Sequence, residues 1–225
     1  MTVVPSRLEY AAGFDLAASW LGSDGYPLLA VVSTAEFVDH VAARAEGGVA
    51  FACDDASTRD HARQRLSGGG LPGDVAEQSR VLPPVETVPA GAMFRGVLWA
   101  APQPTTWPAK LASLGRLLAA GGRVCVLTGT TASVLARPVR RRQPGEPAPL
   151  LSTLRTHLVA DGWRVTHTRG LGGIASIGWA VAGRAAQVAG RPDLADRAEQ
   201  AHHQAVEESA GASYVVLLAQ RGTQP

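Results

Sequence analysis

Lysine is almost missing from this sequence: Lys110 is the only one among 21 basic residues, and the rest are arginine. Set beside 25 glycines and 15 prolines, that imbalance reads as the codon bias of a GC-rich genome rather than as selection for guanidinium chemistry. Cysteine is scarce as well. Cys53 and Cys125 each sit in an apolar run, which excludes a disulfide-framed secreted scaffold and reads as two small buried hydrophobes. Charge of one sign is also lacking, since 21 basic and 19 acidic residues leave a formal net charge of +2. That balance excludes a strongly basic nucleic-acid binder and an acidic solvating tail. No window approaches the ~18 uninterrupted apolar residues of a membrane-spanning helix. Residues 1–21 carry Arg7, Glu9 and Asp15, with no apolar core of signal-peptide length. The expectation is a soluble cytoplasmic protein with neither membrane nor nucleic acid among its partners.

What is present is ample core material. Of 225 residues 46% are hydrophobic, which suits one α/β domain over residues 1–225. Short β-rich runs alternate with helical patterns from residue 26 onward, the signature of a mostly parallel sheet. Residues 1–25 read as a helical cover closed by a glycine turn. Strands are expected at residues 26–32 (YPLLAVV), 49–54 (VAFACD), 75–82, 94–100 (FRGVLWA), 123–128 (RVCVLT), 163–167 (WRVTH) and 213–220 (SYVVLLAQ). The third is a poor central strand, because Pro83, Pro84 and Pro89 crowd it. Ser33 and Glu36 have the spacing of a capping box for the helix after the first strand, and Ser57 is the expected cap of the next. Leu111, Leu114, Leu117 and Leu118 form a helical stripe expected to end at Gly121-Gly122. Residues 170–210 read as a helical insertion before the last strand, broken at Gly190-Arg191-Pro192.

The segment 114–128, LGRLLAAGGRVCVLT, resembles the helix, paired-glycine turn and fifth strand of class I S-adenosylmethionine-dependent methyltransferases. The tail is similar too, with a helix ending at Asp161-Gly162-Trp163, a strand, helices and an apolar last strand. The resemblance spans about residues 26–221 and implies a Rossmann-like seven-stranded sheet flanked by helices. Its strands are mostly parallel, with an antiparallel last strand between the fifth and sixth. It also implies a site. Family members usually follow the first strand with a glycine-rich loop, where bare backbone approaches the amino-acid end of the cofactor. Here that place is taken by Ser33, Thr34 and Ala35, with no glycine. At the end of the second strand, Cys53-Asp54-Asp55-Ala56-Ser57 is similar to the family's G-x-D-x-S, which puts Asp55 on the ribose hydroxyls. Asp54 offers a second carboxylate, and the alternative for either is a helix cap or a solvated turn. Glu86 falls about where the family places an acidic residue near the adenine. Trp99 and Ala100, with residues 101 and 102, would line the pocket floor, although a tryptophan on a strand is more often core.

Other candidates are weaker. The six histidines show no metal-ligand spacing, and His202 and His203, the one adjacent pair, are the only candidates for a general base. Against that stands an exposed helix, on which neighbours diverge by about 100°. The RPVRRR run at residues 137–142 reads as a solvated loop, and Gly170-Leu171-Gly172-Gly173 as a turn lacking the Lys and Ser/Thr of a phosphate loop. Two functions follow from the resemblance. One is methyl transfer from S-adenosyl-L-methionine to a small molecule, which needs alignment more than an obvious base. The other is the same fold without methyl transfer, as a non-catalytic partner subunit or as a cyclase in natural-product assembly. The expected partner is a small-molecule substrate, with a homodimer or a partner protein as a further companion.

Overall fold

The structure is a computed structural model that describes residues 7–21, 28–45, 47–69, 73–90, 94–100, 106–129, 150–171, 174–206 and 214–222. Apolar side chains stand at both parities of the inner strands, so the sheet must be covered on both faces. Leu29 and Val31 of β1 (Leu28–Val32) face one core, and Ala30 and Val32 face the other. The same alternation runs through β2 (Val49–Cys53), β4 (Phe94–Ala100) and β5 (Leu118–Gly129). The first core is closed by α1 (Arg7–Leu21), α2 (Ala35–Arg44) and α3 (Ala56–Ser67), through Phe14, Phe37, Val41 and Ala62. The second is closed by α5 (Trp107–Leu117) and α6 (Leu150–Ala160), through Trp107, Leu111, Leu114, Leu154 and Leu158. Among the described residues no helix is long and apolar enough to cross a membrane.

The remaining elements are α4 (Gly73–Gln78), β3 (Arg80–Leu82), a single 3₁₀ turn at Val85–Thr87, β6 (Trp163–Leu171), α7 (Ile174–Val188), α8 (Pro192–Val206) and β7 (Tyr214–Arg221). The seven strands lie in the order β3-β2-β1-β4-β5-β7-β6. β1, β2, β3, β4 and β5 pair in parallel, whereas β7 runs antiparallel to both β5 and β6. This is the sheet that the resemblance implied. The chain moves outward from β1 to β3 and then returns to the other side of β1 for β4. At such a reversal the connections leave in opposite directions, and a cleft opens beyond the carboxyl ends of the strands.

Several local expectations are corrected. The cap of α2 is Thr34, not Ser33: its extended backbone (φ −144°, ψ 143°) aims the hydroxyl at the Phe37 amide, 3.3 Å away. Glu36 then stands one residue too early in the helix for a capping box. The cap of α3 is Asp55, not Ser57. Residues 73–78 are helical, so β3 keeps only Arg80–Leu82 of the expected strand. A three-residue margin strand suits the prolines that follow it. α5 ends at Leu117, before the paired glycines, and the chain is already extended at Leu118. Pairing with β4 jumps from Phe94↔Leu118 to Gly96↔Arg123, and the glycines lie inside that irregularity. Gly121 holds φ +74°, and a Cβ on Gly122 would meet the Ala119 carbonyl oxygen at 2.8 Å. Regular pairing therefore begins at Arg123, the expected strand start. β6 continues to Leu171, so Gly170 and Leu171 are strand rather than turn. The turn at 22–25, the 137–142 run, and residues 101, 102, 172 and 173 lie outside the described residues.

Candidate functional site

Period-two alternation decides which way each residue at the carboxyl edge turns. In β2, Phe51 and Cys53 face the α1–α3 core while Ala50 and Ala52 face the α5 core. Asp54 follows on the α5 side. The Asp54 amide still donates to the Val32 carbonyl at 3.2 Å, so the β1–β2 ladder carries it to the rim in register. There its carboxylate accepts a hydrogen bond from the Lys110 ammonium, which reaches across from the first turn of α5. Glu86, in the 3₁₀ turn after β3, places Oε1 3.6 Å from the same nitrogen. Val85, beside it, is fully buried in the α5 core and fixes that turn. The Lys110 side chain is only 5% exposed, against 30% for Asp54 and 33% for Glu86. One nearly buried cation is thus clasped by two carboxylates that open to solvent beyond the ends of β2 and β3.

Asp55 is placed differently. Its Oδ1 accepts from the Thr58 amide and its Oδ2 from the Thr58 hydroxyl, each at 2.8 Å. These bonds favour the ionised form and hold the carboxyl below the ordinary range, with the Thr58 backbone amide the larger cause. Since the cap is Asp55, the helix starts two residues earlier than a Ser57 cap implies. The position two residues before the cap is then Cys53, a buried thiol that desolvation pushes up to about 11, so it is neutral at physiological pH. In this frame Asp54 is the acceptor at the β2 rim, and Asp55 is engaged in starting α3.

Ser33 and Thr34 lie half-buried at the end of β1, Ala35 opens α2, and the Thr34 hydroxyl serves the α2 amide. Trp99 and Ala100 are 1% and 4% exposed and point to opposite faces, Trp99 into the core with Trp107 and Ala100 into the core with Leu98. Neither side chain is presented to the rim. His202 and His203 belong to α8, and their side chains fall outside the described ones. The structure therefore brings Asp54 and Glu86 together, through Lys110. In the sequence Lys110 is marked only by composition, as the single lysine of the chain. A compact ammonium on a flexible stem can enter a crevice between two carboxylates, where a planar guanidinium needs a wider, fork-shaped opening. A separate polar group ties α2 to α3: Asp39 Oδ1 lies 3.0 Å from His61 Nε2 and 3.2 Å from Arg65 Nε.

The carboxylates suit the nucleoside part of S-adenosylmethionine, because carboxylate oxygens accept charge-assisted bonds from ribose hydroxyls and an exocyclic amine. The amino-acid part would meet side chains at Ser33 and Thr34 rather than bare backbone. No protein-family model matches the chain, and no curated protein does. Solved structures match along nearly all of it. The cyclase SpnF is 16% identical, with 95% of this chain and 82% of that one covered and a TM-score of 0.62. The glycopeptide N-methyltransferase MtfA, complexed with sinefungin, is 13% identical over 98% of this chain and 96% of that one, with a TM-score of 0.61. A putative sarcosine dimethylglycine methyltransferase from Galdieria sulphuraria is 11% identical over 97% and 85%, with a TM-score of 0.58. The chain has the fold of these proteins.

Proposed function

We propose that this chain binds the adenosyl part of S-adenosylmethionine beyond the carboxyl ends of β1, β2 and β3, and acts on a small molecule as a methyltransferase-like protein. The observation that carries the reading is the pairing of Asp54 and Glu86 at the rim next to the β1/β4 reversal. When bound, the cofactor supplies a methyl group activated by its sulfonium. The protein's part is to hold and orient: Asp54 receives ribose hydroxyls, Glu86 receives a base amine, and Asp55 keeps the β2–α3 turn in place by capping. The residues 33–35 turn lies under the amino-acid end. A methyl group moving from sulfur to a nucleophile needs alignment and exclusion of water before it needs a base.

Thermal unfolding with and without S-adenosylmethionine or S-adenosylhomocysteine tests the reading. A ligand at about 100 times its Kd adds roughly 2.7 kcal/mol of stability. Asp54→Ala should abolish most of that gain, and Asp55→Ala should lower the baseline while leaving the gain. Absence of any shift at millimolar concentration of both compounds sinks the reading.

A second reading is favoured by one observation, the glycine-free turn whose Thr34 hydroxyl is already committed to α2. In it the fold binds a nucleoside without transferring methyl, as a partner subunit or as a cyclase in natural-product assembly. The cyclase named among the structural neighbours fits that alternative. Transfer of labelled methyl to any small-molecule acceptor decides against it.

A further inference from the structure

We propose that Lys110 is a displaceable internal occupant of the nucleoside site, its ammonium holding Asp54 and Glu86 until a ligand's own donors replace it. The inference rests on the nucleoside reading above and adds to it a competition built into the chain.

Lys110 donates to Asp54 and lies 3.6 Å from Glu86, so one ammonium engages both acceptors that the rim offers a nucleoside. Its side chain is 5% exposed, while the carboxylates it holds are about a third exposed. The cation thus sits beneath and between the acceptors, and solvent meets them from the other side. Lys110 stands on α5, which follows β4, whereas Asp54 and Glu86 follow β2 and β3. The contact therefore bridges the sheet reversal where ligands of open α/β sheets enter. Two carboxylates within reach of one ammonium repel one another, and the cation offsets that repulsion. A nucleoside brings hydroxyl and amine donors to the same carboxylates, and a donor that takes the Oδ1 and Oε1 lone pairs now facing Lys110 competes with its ammonium for them. The four-carbon stem of lysine lets the ammonium withdraw without moving α5.

Calorimetric titration of S-adenosylhomocysteine, and of adenosine alone, into the wild-type protein and Lys110→Met tests this. The variant, which has no ammonium to displace, should bind both probes about tenfold more tightly, a difference of about 1.4 kcal/mol. Binding by the variant where the wild type shows none supports the inference more strongly. Equal or weaker binding by a variant that still unfolds cooperatively overturns the inference and leaves the nucleoside reading standing. No binding by either protein ends both. A second measurement does not need the variant to fold. Because the chain has one lysine, ¹⁵N-lysine labelling gives a single side-chain Nζ signal. That signal should move toward the position of a solvated lysine as wild-type protein is saturated with S-adenosylhomocysteine. A saturated protein whose Nζ signal has not moved overturns the inference.

Discussion

Asp55 shows how one side chain can be recruited by local geometry before any ligand is considered. Its carboxylate satisfies the Thr58 amide and hydroxyl, and the value of such a cap is about 1 kcal/mol. Asp55→Ala should lower stability by that amount at pH 7, measured by urea unfolding. The sign of the pH effect follows from the lowered pKa. The folded state favours the ionised form, so the stabilisation is complete above the ordinary carboxylate range and fades as pH falls through it. The difference between wild type and variant should therefore shrink below about pH 4. The two thiols give an independent check. Burial raises the Cys53 thiol to about 11 and raises Cys125 as well. Neither should react with a thiolate-directed reagent at pH 8 until the protein unfolds, and rapid labelling of the native protein would contradict their placement. At this scale the sequence was legible in kind and not in position. A cap after β2 was evident, but Asp, Ser and Thr compete for that role, and the extended backbone at Asp55 (φ −126°, ψ 163°) is what sets its carboxylate against the Thr58 amide. Lys110 was opaque, since its partners stand 24 and 56 residues away and no local pattern joins them.

Glycines show the same division among elements. Gly47 and Gly48 precede β2 together. The structure separates them. A Cβ on Gly48 would lie 2.7 Å from both the Cβ and the carbonyl oxygen of Gln78, whereas one on Gly47 meets nothing within 4 Å. Gly48 also accepts from the Leu28 amide through its carbonyl, so the contact with α4 fixes the entry of β2 beside β1. Gly48→Ala should destabilise by about 1–3 kcal/mol, in the range of an overpacked site, and Gly47→Ala by less than about 0.5 kcal/mol. Equal effects in thermal unfolding would refute that assignment. The elements most legible in the sequence are those with apolar residues at both parities, β1, β2 and β4, because burial on two faces leaves no other period to fit. α4 is not legible as a helix, because its six residues are too few to show a helical face.

Across the whole molecule, burial is uneven. Both cores are centred on β1, β4 and β5, while α7 and α8 pack chiefly on each other and leave Trp179, Val181, Val188 and Leu194 exposed. Native-state hydrogen exchange should accordingly be slowest in β1 and β4 and faster by orders of magnitude in α7 and α8. Uniform protection would contradict this distribution. The order of the sheet has a further consequence, in time. Among the described residues β6 stands at the margin and pairs with β7 alone, and β7 is also the outer neighbour of β5. A ribosome therefore delivers β5 and β6 well before the strand that joins them. At about 5–20 residues per second the roughly 40 intervening residues occupy a few seconds. Throughout that interval the outer edge of β5 and the whole of β6 wait for the strand that pairs with them, while the β1–β4 half can already be complete.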